Sequence, residues 1–405
     1  MKRRYAKKVP DLRSVAAILQ NRIPFEAGEK IGESYQVGVM LRAPQGFTYS
    51  GSSGAAATLN AQRNAVTKQA SVVGSELNLL ERVTLKALAS AVEKGEQALG
   101  VLLDEVVAGM KKSMMNRVEG SLLRGQYHYG IVESVVDLGG GSATITFTAA
   151  TWAPGLFWFF GENSTWDVHT AVGGARVNTN GSMVLTKITS ATRTIAVTYT
   201  TALQAVAAHL FFPAGANGVA LGECLGLIAQ ARNLTATQLG IDPLTYNNWQ
   251  GNQYTVAGEF SLGVMEDAFA QLRDRGATGK LTAFLSNRAW SRLSTDLQAA
   301  RYMDQSYSSE KNKAGQRSMS YFTADIDEVE FVRHPFLAWG EVLILPEDEV
   351  QRIGSSDVTF GIPGMKEDLM VLVPGTNTVE LQAYSDQAPI IKKPNFAMFM
   401  TGITF

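Results

Sequence analysis

The sequence predicts an α+β fold in which one long helix lies against strands and a separate β-rich module is inserted after it. Three observations predict this. Apolar residues recur at helical spacing around residue 100, the period changes to two between Tyr127 and Phe212, and helical and strand patterns alternate beyond Pro213. With 405 residues the chain can bury a substantial core over two or three domains.

At the N-terminus, Leu12, Val15, Ala16 and Leu19 predict a short amphipathic helix that ends before Pro24. Six basic residues between Met1 and Arg13 face a single acid, Asp11. Of these, Lys2, Arg3, Arg4, Lys7 and Lys8 are candidates to touch DNA or an acidic neighbour. Residues 1–33 read as an N-terminal arm.

Residues 34–75 read as an extended loop. Tyr35 to Leu41 predicts a strand, Pro44 to Gly46 a turn, and Phe47 to Tyr49 the start of a return. The segment contains no Asp or Glu, only Arg42, Arg63 and Lys68. It offers too little apolar surface to order itself, so it is expected to become ordered on another subunit.

Residues 76–126 are expected to be helical, starting near Glu76 to Leu80 and broken near Gly95. Leu99, Leu102, Leu103, Val106, Val107, Met110, Met114, Val118 and Leu122 predict one continuous apolar face. Glu96 to Leu123 would span roughly 42 Å. A face of that length needs a large partner surface, and a sheet of the same chain is the simplest one.

Residues 127–213 read as a compact β module, a small barrel. Ile131 to Leu138 and Thr144 to Thr148 flank Gly139-Gly-Gly141, and Met183 to Ile188 and Thr194 to Thr200 flank Ser190-Ala-Thr192. These are two antiparallel hairpins. Between them sit Trp152, Phe157, Trp158, Phe159, Phe160 and Trp166, expected to pack in a core because only Arg176, Lys187 and Arg193 supply cations nearby. In residues 214–405, Phe260, Val264, Ala268 and Leu272 predict a helix, Leu281 to Leu285 a strand, and Asn287 a cap for the next helix. Asp304 to Ser320 reads as a polar loop, Val329 to Val332 and Glu341 to Leu345 as strands, and Phe396 to Phe405 as a terminal strand.

The search for chemistry yields little. Four histidines share no metal-binding spacing, and His334 before Pro335 reads as a turn-ordering residue. The triple glycine is followed by no Gly-Lys-Ser/Thr, and Gly-x-Ser-x-Gly does not occur. Glu328, Glu330, Glu347, Asp348 and Glu349 read as a solvated face. Cys224 is alone in an apolar stretch, as expected for core in a protein made in a reducing cytoplasm. No catalytic, metal or cofactor residue is predicted, and no enzyme. At 18% the charged content is low, and the net charge of −1 gives no global attraction to nucleic acid or membrane.

The order of parts resembles the major capsid protein of tailed bacteriophages, the Hong Kong 97 fold. The resemblance rests on Gly46-Phe-Thr-Tyr49, Leu281-Thr-Ala-Phe-Leu-Ser-Asn-Arg-Ala-Trp290, Val329-Glu-Phe-Val-Arg-His-Pro-Phe336, Gln382-Ala-Tyr-Ser385 and Thr401-Gly-Ile403. It implies an N-arm, an E-loop, a spine helix, and peripheral and axial domains, with residues 127–213 as an inserted module. It further implies pentamers and hexamers closing into an icosahedral virion shell around double-stranded DNA. Arg42, Phe47, Tyr49, Arg63 and Lys68 would then be inter-subunit contacts of the E-loop. Because only about thirty residues precede the E-loop, a separate scaffolding protein is implied, with a portal and a decoration protein as further partners. Assembly would take place in the host cytoplasm, with no membrane. The alternatives are an encapsulin-type cargo compartment and, from another class, a carbohydrate-binding or enzymatic protein built on the β module.

Overall fold

The computed structural model describes residues 14–28, 30–31, 34–49, 52, 58–86, 96–178, 181–200, 206–217, 222–256, 258–302, 319–321, 329–360, 370–373 and 375–405. Lys2, Arg3, Arg4, Lys7, Lys8, Glu328 and nearly all of the polar loop expected at Asp304 to Ser320 lie outside the described residues. The architecture is mixed α and β: two open sheets, a small three-stranded sheet and a closed barrel.

The N-terminal segment forms α1 (Ile18–Arg22) and β1 (Phe25–Ala27). Then β2 (Lys30–Ile31), β3 (Ser34–Arg42) and β4 (Val66–Val72) make the three-stranded sheet, with β3 and β4 antiparallel.

Next comes β5 (Ser75–Thr84), which corrects one expectation. The long helix does not begin near Glu76; residues 75–84 pair antiparallel along their whole length with a C-terminal strand. The apolar residues Leu77, Leu79 and Val83 alternate on one face, a period-two signal hidden among good helix formers. Here the ladder with a distant strand overrides local propensity.

The long helix is α2 (Glu96–Arg124), starting just after Gly95. Its partner is indeed a sheet of the same chain: β17 (Val350–Phe360) and β19 (Thr378–Ile391), with β5 at the edge. Met110 packs with Val83, Leu381 and Ala383, while Val118, Leu122 and Leu123 join the main core. The single apolar face was too simple, however. From Met114 onward Asn116, Glu119, Gly120 and Arg124 are buried as well, because α1 and the helix α3 (Pro154–Phe160) close over the side away from the sheet.

The β module is a closed barrel of six strands, ordered β10-β7-β6-β11-β8-β9. These are β6 (Gly130–Gly139), β7 (Ser142–Phe147), β8 (Thr165–His169), β9 (Met183–Thr189), β10 (Thr194–Thr198) and β11 (Leu210–Pro213). Gly139, Gly140 and Gly141 all have positive φ, and a Cβ on Gly141 would sit 2.8 Å from the Tyr199 carbonyl oxygen. The triple glycine is therefore a hairpin turn that ordinary residues would strain. Ile145, Phe147, Trp166, Val168, Met183, Leu185, Ile195 and Phe211 fill the barrel. Trp152 and Phe157 stack at 5.3 Å beside them. Trp158 departs from the expected core role: it is 61% exposed and donates to Ser190 Oγ.

The rest of the chain builds a six-stranded sheet of β12 (Gln253–Thr255), β13 (Leu281–Leu285), β14 (Met319–Tyr321), β15 (Val329–Arg333), β16 (Val342–Leu345) and β20 (Met398–Thr401). The helices α5 (Leu262–Asp274) and α6 (Asn287–Tyr302) contribute Met265, Phe269, Leu272, Ala289 and Leu293 to its core. Ser286, not Asn287, caps α6, accepting from the Ala289 N–H at 3.2 Å. Between barrel and sheet, α4 (Leu227–Ala231) packs against α2 and β19. The strand β18 (Met370–Leu372) pairs with the start of β19.

Candidate assembly surface

Residues 34–72 form a hairpin with two different halves. In the lower half, Tyr35, Val39 and Leu41 on β3 and Ala70 and Val72 on β4 point to one face. They are buried against Cys224, Ile241, Trp249, Ile353, Ala388 and Ile390. The Tyr35 hydroxyl donates to Asp386 Oδ2 at 3.0 Å, and Ser71 N–H donates to the Leu239 carbonyl. So the stem of the arm is ordered on its own chain, contrary to expectation. Its period-two apolar face is short but sufficient once a prepared surface receives it.

The upper half runs free. Beyond Arg42 the strands stay joined by a bridge between Gln45 and Arg63, with both backbone hydrogen bonds formed at 2.8 and 2.9 Å. Thr48 Oγ1 accepts from Asn60 N–H, and Asn60 Nδ2 donates to the Phe47 carbonyl. These bonds join the two limbs of the arm at Phe47, Thr48 and Asn60. They leave Phe47 72%, Leu59 81% and Tyr49 96% exposed. Isolated exposed apolar side chains are ordinary; three on one hydrogen-bonded tip make a presented surface.

The cations of the arm behave differently from the aromatic residues. Arg42 Nη2 donates to the Thr245 carbonyl at 2.8 Å, and both Arg42 and Lys68 sit 5.0 Å from the centre of the Tyr246 ring. Both are thus engaged within their own chain, where they bind the stem to the 242–249 loop. Arg63 is exposed beside the bridge.

The stem stands over an open groove of about 660 Å³. One wall is Ser71 to Gly74; the others include Gln126, Glu223, Leu225, Ala229, Asn233, Thr237 and Pro389. Glu223 is buried; its Oε1 accepts from the Tyr129 hydroxyl at 2.7 Å and from Ser121 Oγ at 3.2 Å. Its Oε2 has no partner among the described residues. Burial raises the Glu223 pKa above the usual carboxylate range despite the Tyr129 bond and the Arg117 charge.

Three polar clusters tie the surrounding frame together. Asn116 and Glu119 clamp the N-terminal segment onto α2. Asn116 Oδ1 accepts from Ala16 N–H, while the Glu119 carboxylate accepts from Leu19 N–H at 2.7 Å and His334 Nε2 at 3.0 Å. His334 Nδ1 accepts from the Phe336 N–H, so this histidine does order its turn, and it also supports the clamp. Arg22 reaches Glu330 at 2.6 Å and Glu347 at 2.8 Å, and Thr282 donates to Glu347. These two acids are therefore paired, not a solvated face, and Arg22 holds the Glu330 carboxyl below the usual range. The Arg124 guanidinium, wholly buried, joins Glu341, the Phe336 carbonyl and the His128 carbonyl where the barrel meets the spine. An N-x-x-E pair at the buried spacing of an apolar helix was the sequence signal for the clamp.

Among the described residues no three His, Cys, Asp or Glu side chains gather to hold a metal, and no helix is long and apolar enough to cross a membrane. Cys224 is buried and its thiol is pushed well up by burial.

No protein-family model and no curated protein matches the chain. Solved structures do. The cyanophage A-1(L) capsid asymmetric unit aligns at a TM-score of 0.60 with 11% identity, covering 100% of this chain and 98% of that one. The capsid of cyanophage P-SCSP1u aligns at 0.50 with 9% identity, covering 98% and 92%. The mature capsid of bacteriophage PhiM1 aligns at 0.50 with 7% identity, covering 99% and 91%. Such low identities carry shape alone, and that shape extends over the whole length: the chain has the fold of a phage capsid subunit.

Proposed function

We propose that this protein is the structural shell subunit of a phage particle. It assembles through its arm into pentamers and hexamers of a closed icosahedral capsid around double-stranded DNA. The observation that carries this reading is the arm: a hairpin rooted by Tyr35 in its own core and tied between Phe47 and Asn60, presenting Phe47, Tyr49 and Leu59 to solvent. A lone subunit gains nothing from such a tip, whereas a neighbouring copy gains aromatic anchors. The full-length likeness to capsid subunits supports the same reading. In Hong Kong 97 terms, residues 34–75 are the E-loop and α2 is the spine. The sheet of β1, β5, β17, β18 and β19 belongs to the peripheral domain, and the six-stranded sheet to the axial one. The exposed tip residues, rather than Arg42 and Lys68, are the principal inter-subunit contacts.

The basic stretch Lys2, Arg3, Arg4, Lys7 and Lys8 is proposed to meet DNA or an acidic neighbour, and scaffolding, portal and decoration proteins are proposed partners. The barrel interior is filled by side chains, which supports a structural module over one with a sugar or substrate pocket. Electron microscopy of the chain expressed with its genetic neighbours tests the reading. Closed shells are expected, and a monodisperse monomer at high concentration would overturn it.

A further inference from the structure

We propose that the basic stretch from Lys7 to Arg13 docks on the barrel of its own chain, over the open face of Trp158. The inference is independent of the shell-subunit reading, because it concerns the lone subunit. Three observations lead there.

The first is the seat. The chain has six tryptophans. Trp152, Trp166 and Trp249 are buried. Trp290 lies under the Arg333 guanidinium, 5.1 Å from its ring centre, and Trp339 lies under Arg288 at 4.6 Å. Trp158 alone is open: it is 61% exposed, and among the described residues no cation lies over it. Its indole N–H donates to Ser190 Oγ at 3.1 Å, which fixes the ring against the turn between β9 and β10. A tryptophan face turned to solvent is the best aromatic seat for a guanidinium or ammonium group.

The second is position. Asn116 Nδ2 donates to the Ser14 carbonyl and to the Phe159 carbonyl, each at 3.0 Å. Ser14 is thereby tied beside α3, one residue along the helix from Trp158. Lys7 stands seven positions before Ser14, a reach of at most about 25 Å in extended chain. Lys8 and Arg13 stand closer still, and Val9, Pro10 and Leu12 between them offer apolar contact to the ring.

The third is charge. From Met1 to Arg13 the only acid is Asp11, so the stretch carries a surplus of cations. Glu162, four positions after Trp158, is exposed and has no ion pair among the described residues. Ring and carboxylate together suit a basic segment that arrives from Ser14.

The test is limited trypsin digestion of the unassembled full chain, with cleavage after Lys7, Lys8 and Arg13 read by mass spectrometry. Trp158→Ala should be cut at these bonds at least fivefold faster than wild type. Trp158→Phe, which keeps an aromatic face, should fall between them, and cleavage elsewhere should not change. Equal rates in wild type and Trp158→Ala would overturn the proposal. So would protection that disappears on tenfold dilution, because a second copy would then fill the seat, or protection that requires added DNA. Should Trp158→Ala disturb the fold, a reciprocal variant decides. Lys7→Glu with Lys8→Glu should raise hydroxyl-radical oxidation of Trp158 at least threefold over wild type, and unchanged oxidation refutes the contact. Each of these outcomes leaves the shell reading untouched, since that reading is decided by microscopy of particles.

Discussion

Replacing Glu119 with alanine should release the N-terminal segment from the spine helix. The Glu119 carboxylate is the acceptor for Leu19 N–H, for Gln20 N–H and Nε2, and for His334 Nε2. Leu19 and His334 are wholly buried, so water cannot replace what is lost. Each buried donor left unpaired costs about 1–3 kcal/mol, which for these two sums to about 2–6 kcal/mol. That is a large share of the roughly 5–15 kcal/mol that stabilises a folded domain. The segment has a cheaper escape: residues 14–24 can lift off, exposing Leu19 and Ile23, while α2 keeps its sheet. Limited proteolysis and urea denaturation of the unassembled subunit separate the two outcomes. Glu119→Ala should be cleaved within residues 14–24 at conditions that spare the wild type, with Glu119→Gln intermediate because one carbonyl acceptor remains. A Glu119→Ala subunit within about 0.5 kcal/mol of wild type, with an unchanged cleavage pattern, would falsify the clamp.

Three further outcomes are expected. Phe47→Ala with Tyr49→Ala removes two side chains that the lone subunit leaves exposed, so its denaturation midpoint should stay put while shell yield by microscopy falls at least tenfold. His128 is pushed down to about 3, first by burial and then by Arg124 and Arg232, so the folded form holds it neutral. Since the unfolded chain takes up that proton below about pH 6.5, stability should fall as pH drops from 7 to 5. The loss is up to about 2 kcal/mol at pH 5 and should be absent in His128→Gln, as measured by urea denaturation of the unassembled subunit. Cys224 should resist maleimide labelling in the native subunit and react fully in denaturant; rapid native labelling would contradict its buried place beside α2.

Much of this fold was legible from periodicity. The barrel announced itself through two hairpins of period-two alternation, one of them turned by three glycines with positive φ, and α2 through apolar residues three and four apart; each signal is local and repeated. The arm was legible as an acid-free segment, and Phe47 and Tyr49 as large apolar side chains on it, which the fold leaves exposed. Other features were not. Residues 75–84 carry helix-forming side chains but a strand's alternation, and only pairing with β19 decides between them. Arg42 and Lys68 looked free because nothing in the sequence places Tyr246 beneath them. Glu330 and Glu347 looked solvated because Arg22 lies some three hundred positions away.

The sequence by itself determined which segments alternate, which coil and which lack acids, because those properties depend on neighbours in the chain. Tertiary structure alone decided the stem's burial, the paired acids, the buried clamp around Glu119 and the groove at the arm's root. Each of these depends on groups that meet only when distant strands and helices pack, and their energies exceed the local preferences that a sequence displays.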